Sequence, residues 1–120
     1  MDFTEAIAAH SQWKVKLRMY LENNQGDYTV EEVACDDKCS LGKWIYGDGV
    51  AYKNAPAYEP LRNVHADFHV STSKIIGQIQ EGKKDEAKAA LESGSPYVDL
   101  SLQTIVQIRE LREYIEEQGE

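Results

Sequence analysis

The chain has 120 residues, with 13 Lys and Arg against 21 Asp and Glu, a formal net charge of −8 and a mean hydropathy of −0.56. That length supports one domain over residues 1–120 with a real core and no need of disulfide staples. The acidic balance excludes nucleic acid as a partner, because phosphate contact needs a basic face, and no run approaches the roughly 18 apolar residues that cross a bilayer.

The N-terminal string MDFTEAIAAH has no basic flank, so it does not read as a signal peptide; a cytoplasmic location is the expectation. Asp2 and Glu5 have the spacing of a capping box. Phe3, Ile7, His10, Trp13 or Lys14, Leu17 and Leu21 then recur at three- and four-residue intervals, which predicts an amphipathic first helix with His10 on its inward stripe. Asn23-Asn24-Gln25-Gly26 supplies the left-handed stop.

Residues 27 to 57 are rich in turn formers. Thr29 with Glu32 is a second capping-box spacing, and a short helix around Val30–Val33 is expected. Another should run from Ser40 to Tyr46, packing Leu41, Trp44 and Ile45, until Gly47-Asp48-Gly49 stops it. A connection this long in a small domain is expected to be functional or tied down.

Pro60 suits the first turn of a long helix. Leu61, Val64 or His65, Phe68, Thr72, Ile75 or Ile76 and Ile79 form its apolar stripe, which closes at Glu81-Gly82. A further helix spans about Asp85 to Leu91 and breaks at Ser93-Gly94. The last restarts at Ser95-Pro96, with Val98, Leu102, Ile105, Ile108, Leu111 or Arg112 and Ile115 turned inward. Nothing alternates with period two. The predicted fold is all-α, a four-helix bundle with short accessory helices in the loop between helices one and two.

The chain has only three histidines, and each lies on or beside an inward face. His65 and His69 stand one turn apart, about 40° around the helix and roughly 6 Å along it, so two imidazoles can meet one cation. Cys39 precedes a helix start, where N–H groups favour a thiolate. His10, Cys39, His65 and His69 make a complete tetrahedral set for Zn2+, with no position left for water. Trp13, Trp44 and Phe68 are expected to form a dry shell around it. Each residue also has a plainer reading: inward histidines often pack as hydrogen-bonded core residues, and a free cysteine often acts as a small hydrophobe. Two alternatives to a closed site stay open: a small zinc metalloenzyme with water in the fourth position, and a metal-free helical interaction module. Cys35 reads as a surface thiol or as a resolving partner for an oxidised Cys39. Asp67 should be solvated, and Tyr46, Tyr52 and Tyr58 should pack or face solvent.

The strings His10-Ser11-Gln12-Trp13-Lys14, Cys39-Ser40-Leu41-Gly42-Lys43-Trp44-Ile45-Tyr46 and His65-Ala66-Asp67-Phe68-His69, in that order, resemble the chemoreceptor zinc-binding (CZB) domain family over residues 10 to 69. The resemblance implies a cytoplasmic bacterial sensory domain that is not an enzyme and holds zinc through His10, Cys39, His65 and His69. It also implies a homodimer coupled to a signalling output, a chemoreceptor or a diguanylate cyclase that makes cyclic di-GMP. Zinc occupancy or cysteine oxidation would be its input. The Met1 start fits a stand-alone member or an N-terminal module, with no membrane contact expected.

Overall fold

A computed structural model describes residues 1–24 and 26–118. Six α-helices follow in order: α1 Phe3–Asn23, α2 Val30–Ala34, α3 Ser40–Tyr46, α4 Tyr58–Gln80, α5 Lys84–Ala90 and α6 Pro96–Gln118, with a 3-10 turn at Asp48–Tyr52 after α3. No strand occurs among the described residues. The fold is the expected all-α bundle. Its long members are α1, α4 and α6, while α5 has only seven residues.

Local signals explain most of the boundaries. The Asp2 carboxylate accepts the Glu5 N–H at 3.0 Å, so an exposed helix start has one of its free donors satisfied. Asn24 ends α1 in the left-handed region at φ 56°, its N–H returning to the Met19 and Tyr20 carbonyls; Gln25, part of the same expected stop, lies outside the described residues. Pro60 falls in the first turn of α4, where no intrahelical donor is lost. Thr29 does precede α2, yet its side chain makes no cap bond. The turn-rich stretch is therefore three short helical pieces folded against the bundle.

Two apolar cores occupy the two ends of the long helices. One gathers Ala6, Leu41, Ile45, Tyr58, Leu61, Ile108 and Leu111 with the half-buried Phe3 and Trp44. The other gathers Leu17, Phe68, Ile75, Ile76, Ile79, Leu91 and Tyr97. Between them α1 and α4 place His10, His65 and His69, all buried.

The stripe of α4 is buried as expected from Leu61 to Ile79. The front half of α6 is not. Leu102, expected inside, is 57% exposed, while Tyr97 and Thr104 are buried in its stead. The buried positions Tyr97, Thr104, Ile108 and Leu111 lie two turns, then one turn and one turn apart, all on one face of the helix. Hydropathy misplaced the stripe because two of its members carry hydroxyls. Both are satisfied: Thr104 donates to the Leu100 carbonyl at 2.7 Å. The Tyr97 hydroxyl sits 3.2 Å from that of Thr72, which itself donates to the Phe68 carbonyl at 2.8 Å. The Tyr97 ring stacks on Phe68 at 5.4 Å.

Leu61 is fully buried where α4 meets α6 and α3. Leu61→Ala should lower the stability of the metal-free chain by about 2–5 kcal/mol, read as a shifted midpoint of urea unfolding. A loss below about 1 kcal/mol would mean that this end of the bundle is not tightly packed.

Candidate metal centre

The histidines reach the waist of the bundle for simple reasons. His10 follows Ala6 by one turn, and its Nδ1–H donates to the Ala6 carbonyl at 2.7 Å, which turns Nε2 inward with its lone pair free. His69 does the same across elements: Nδ1–H donates to the Val33 carbonyl of α2 at 2.9 Å. His65 lies one turn before His69, with their Nε2 atoms 3.1 Å apart. Cys39 is the N-cap residue of α3, and its Sγ accepts the Gly42 N–H at 3.3 Å.

These four side chains converge. Cys39 Sγ lies 3.3 Å from His65 Nε2 and 3.5 Å from His69 Nε2, and one donor atom from each of the four residues lies within 4.8 Å of all the others. Zinc bonds of about 2.0–2.1 Å to nitrogen and about 2.3 Å to sulfur give tetrahedral edges of roughly 3.3 Å between nitrogens and roughly 3.6 Å from sulfur to nitrogen. The three distances among Cys39, His65 and His69 match those edges, and His10 completes the set within 4.8 Å. Two buried nitrogens, His10 Nε2 and His65 Nδ1, have no hydrogen-bond partner. An unpartnered inward lone pair on His10 is costly unless a cation or proton meets it. The donor set and its geometry fit zinc.

Burial also sets the protonation states that a metal requires. It holds all three imidazoles below their usual range of about 6.5, His65 down to about 2, where the neighbouring His69 and His10 add to the effect. For His69 the Val33 carbonyl and Asp36 pull the other way without prevailing. Burial pushes the Cys39 thiol up, against the N–H groups of Gly42, Leu41 and Cys39 itself. The imidazoles are thus ready ligands, whereas the sulfur needs a cation to displace its proton.

Of the expected shell, Phe68 faces His10 and His69, with ring centroids 5.5 and 5.9 Å away. A groove of about 680 Å³ lined by Asp2, Glu5, His10, Trp13, Lys38 and Cys39 leads to the site, so Trp13 borders it. Trp44 is instead engaged elsewhere, packing edge-on to Phe3 at 5.3 Å and over Tyr52 at 6.1 Å. Asp67 is exposed as expected. Cys35 is a free thiol that donates to the Glu31 carbonyl at 3.3 Å.

Several contributors escape a sequence reading. The Val33 carbonyl orients His69, and no side-chain pattern announces a backbone acceptor. Gly42 is a second case: a Cβ there would come within 1.6 Å of the Asp36 carbonyl oxygen. The Gly within the CSLGKW string is its signal, legible only once the turn before α3 is seen to fold back. A third is the Asp36 carboxylate, which accepts the Tyr46 hydroxyl.

A helical bundle that brings one half-buried thiol and three buried imidazoles together within 4.8 Å of one another defines a metal-binding domain. Residues 10–76 match the family model described as the chemoreceptor zinc-binding domain; the chain belongs to that family, and its metal is Zn2+. The family is a sensory zinc-binding domain rather than a catalytic one. No curated protein and no solved structure matches the chain. No described helix is long and apolar enough to cross a membrane.

The depressed imidazoles give a sign for the metal-free protein. The folded state holds fewer protons than the unfolded one below about pH 6.5, so stability present above that value is lost as pH falls. For His65 the loss continues toward its folded value of about 2. Urea unfolding in the presence of a chelator should show stability falling from pH 7 to pH 5, the slope steepening below about pH 6.5 toward a limit of about 1.4 kcal/mol per pH unit for each histidine kept neutral. A flat profile over that range would mean the imidazoles are hydrated in solution.

Proposed function

We propose that His10, Cys39, His65 and His69 are the four ligands of the zinc ion and that residues 1–120 act as one sensory unit. The observation that carries this reading is the set of edges from Cys39 Sγ to His65 and His69 and between the two histidines, 3.3, 3.5 and 3.1 Å. It leaves the sulfur inside the donor set, which counts against a metalloenzyme with water in its place. Bound there, zinc supplies a cross-link between distant parts of the chain, so that binding free energy becomes packing free energy.

The residues then define what the sensor can report. His10 ties α1, Cys39 ties the start of α3, and His65 with His69 ties the middle of α4. Cys39 is the one ligand that is not fully buried, and the groove beside it gives small molecules a way in. Oxidation of its sulfur, or withdrawal of zinc, would free the segment before α3 and bias the bundle between two packings. The output is control of a chemoreceptor or of cyclic di-GMP synthesis in a bacterial cytoplasm, without catalysis in this domain. A homodimer is supported by the exposed Val15 and Met19 on α1 and Leu102 and Val106 on α6, which a second copy would cover.

Elemental analysis of the purified protein should give one zinc per chain. Cys39→Ser should lower zinc affinity at least a hundredfold in competition with a chromophoric chelator, and removing zinc from the wild type should change its dichroism or scattering. A Cys39→Ser chain that keeps full affinity would remove the sulfur from the site; identical spectra and scattering with and without zinc would sink the switch.

A further inference from the structure

The four donors are not equally reachable. His65 is fully buried, with the His69 and His10 rings at 4.5 and 5.0 Å. His69 is buried too, its Nδ1–H engaged by the Val33 carbonyl of α2 and the Phe68 ring 5.9 Å away. Cys39, by contrast, is half-buried at the start of α3. The groove of about 680 Å³ between α1 and that start is lined by Cys39 and His10, and by neither His65 nor His69. Two further cavities, of about 390 and 300 Å³, lie against α1 with α5 and against α6, and no donor lines either. The donor set thus meets open space along its His10–Cys39 edge.

The walls of the groove set what can reach that edge. Ala9, exposed on α1 immediately before His10, forms part of one wall. Lys38 and Ser40, on either side of Cys39, form part of the other. A methyl group at residue 9 takes up little of the width between them, whereas a large side chain there would narrow it. The groove carries both signs of charge, Asp2 and Glu5 against Lys16 and Lys38, so width rather than charge decides what enters.

We propose that this groove is the exchange route of the metal centre: a small molecule with metal-binding donors of its own enters past Ala9 and displaces Cys39 and His10 first, while the enclosed His65–His69 pair lets go last. The proposal rests on the ligand assignment above and concerns how fast the site responds, not how tightly it binds. A route cannot shift an equilibrium. Narrowing it slows entry and exit by the same factor and leaves their ratio, the affinity, as it was.

Transfer of zinc from the loaded chain to EDTA, which is anionic, and to phenanthroline, which is neutral, tests this by stopped flow. In the wild type the rate should climb with the concentration of either chelator. Ala9→Trp should slow both transfers about tenfold, at the low end of the span over which entry rates differ among variants of one surface. Its zinc affinity in equilibrium competition should be unchanged, and the sulfur-to-cobalt charge-transfer band of the cobalt-loaded chain should persist. Ala9→Leu should fall between Ala9→Trp and the wild type, and it carries the test if the larger ring disturbs the cobalt band. Ala89→Trp, at an exposed position of α5, should change nothing. A wild-type rate independent of chelator concentration, a slowing confined to one chelator, wild-type rates in both Ala9 variants, or an affinity that moves with the rates would each overturn the proposal. A wild-type chain that binds no zinc would instead overturn the ligand assignment, so the two failures are told apart.

Discussion

Three imidazoles kept neutral by burial and aimed at one sulfur are what the rest of this fold must accommodate. A bundle of this size could have filled its waist with leucine. It places His10, His65 and His69 there instead, between two apolar cores that would otherwise merge. Such a layer is unfavourable without a cation, since the Nε2 atoms of His65 and His69 face each other at 3.1 Å and the inward Nε2 of His10 has no partner. Zinc bound there would convert that liability into a cross-link, and the Ala6 and Val33 carbonyls already orient two of the imidazoles for it. Outer hydrogen bonds of this kind fix the tautomer and aim of a ligand before the ion arrives.

The short helices between α1 and α4 serve the same end. Val33 of α2 orients His69, the first residue before α3 supplies the sulfur, and Gly42 lets the chain between them lie close enough to reach it. A segment without an extensive core of its own is thereby tied to α4 through the Val33 carbonyl and the Cys39 sulfur. Its order depends on the site and the site depends on its order. Such mutual dependence makes a segment responsive to chemistry at a single atom.

Much of this could be read from the residues alone. The α4 stripe and the boundaries of α3 follow from periodicity and from glycine placement. The four donors follow from residue type, inward position and the CSLGKW string, because imidazoles and a thiol on inward faces are conspicuous in a chain with only three histidines. What escaped was whatever depends on atoms every residue shares, or on polar groups turned inward. The Val33 carbonyl has no sequence signature. Tyr97 and Thr104 took the buried positions of α6 that hydropathy assigned to Leu102, since their hydroxyls found partners only in three dimensions. Trp44, the last residue of the CSLGKW string, went to the neighbouring core because α3 turns it toward Phe3.

The long C-terminal helix gives no donor to the site, yet it is geared to it. Phe68 presents its ring to His10 and His69 on one side and lies nearly parallel to Tyr97 of α6 on the other, the planes 20° apart. When either imidazole swings, this pair of flat rings must slide or tilt, because the close-packed interior leaves no slack to absorb the movement. A movement at the ion would therefore bear on α6 through this pair of aromatic rings.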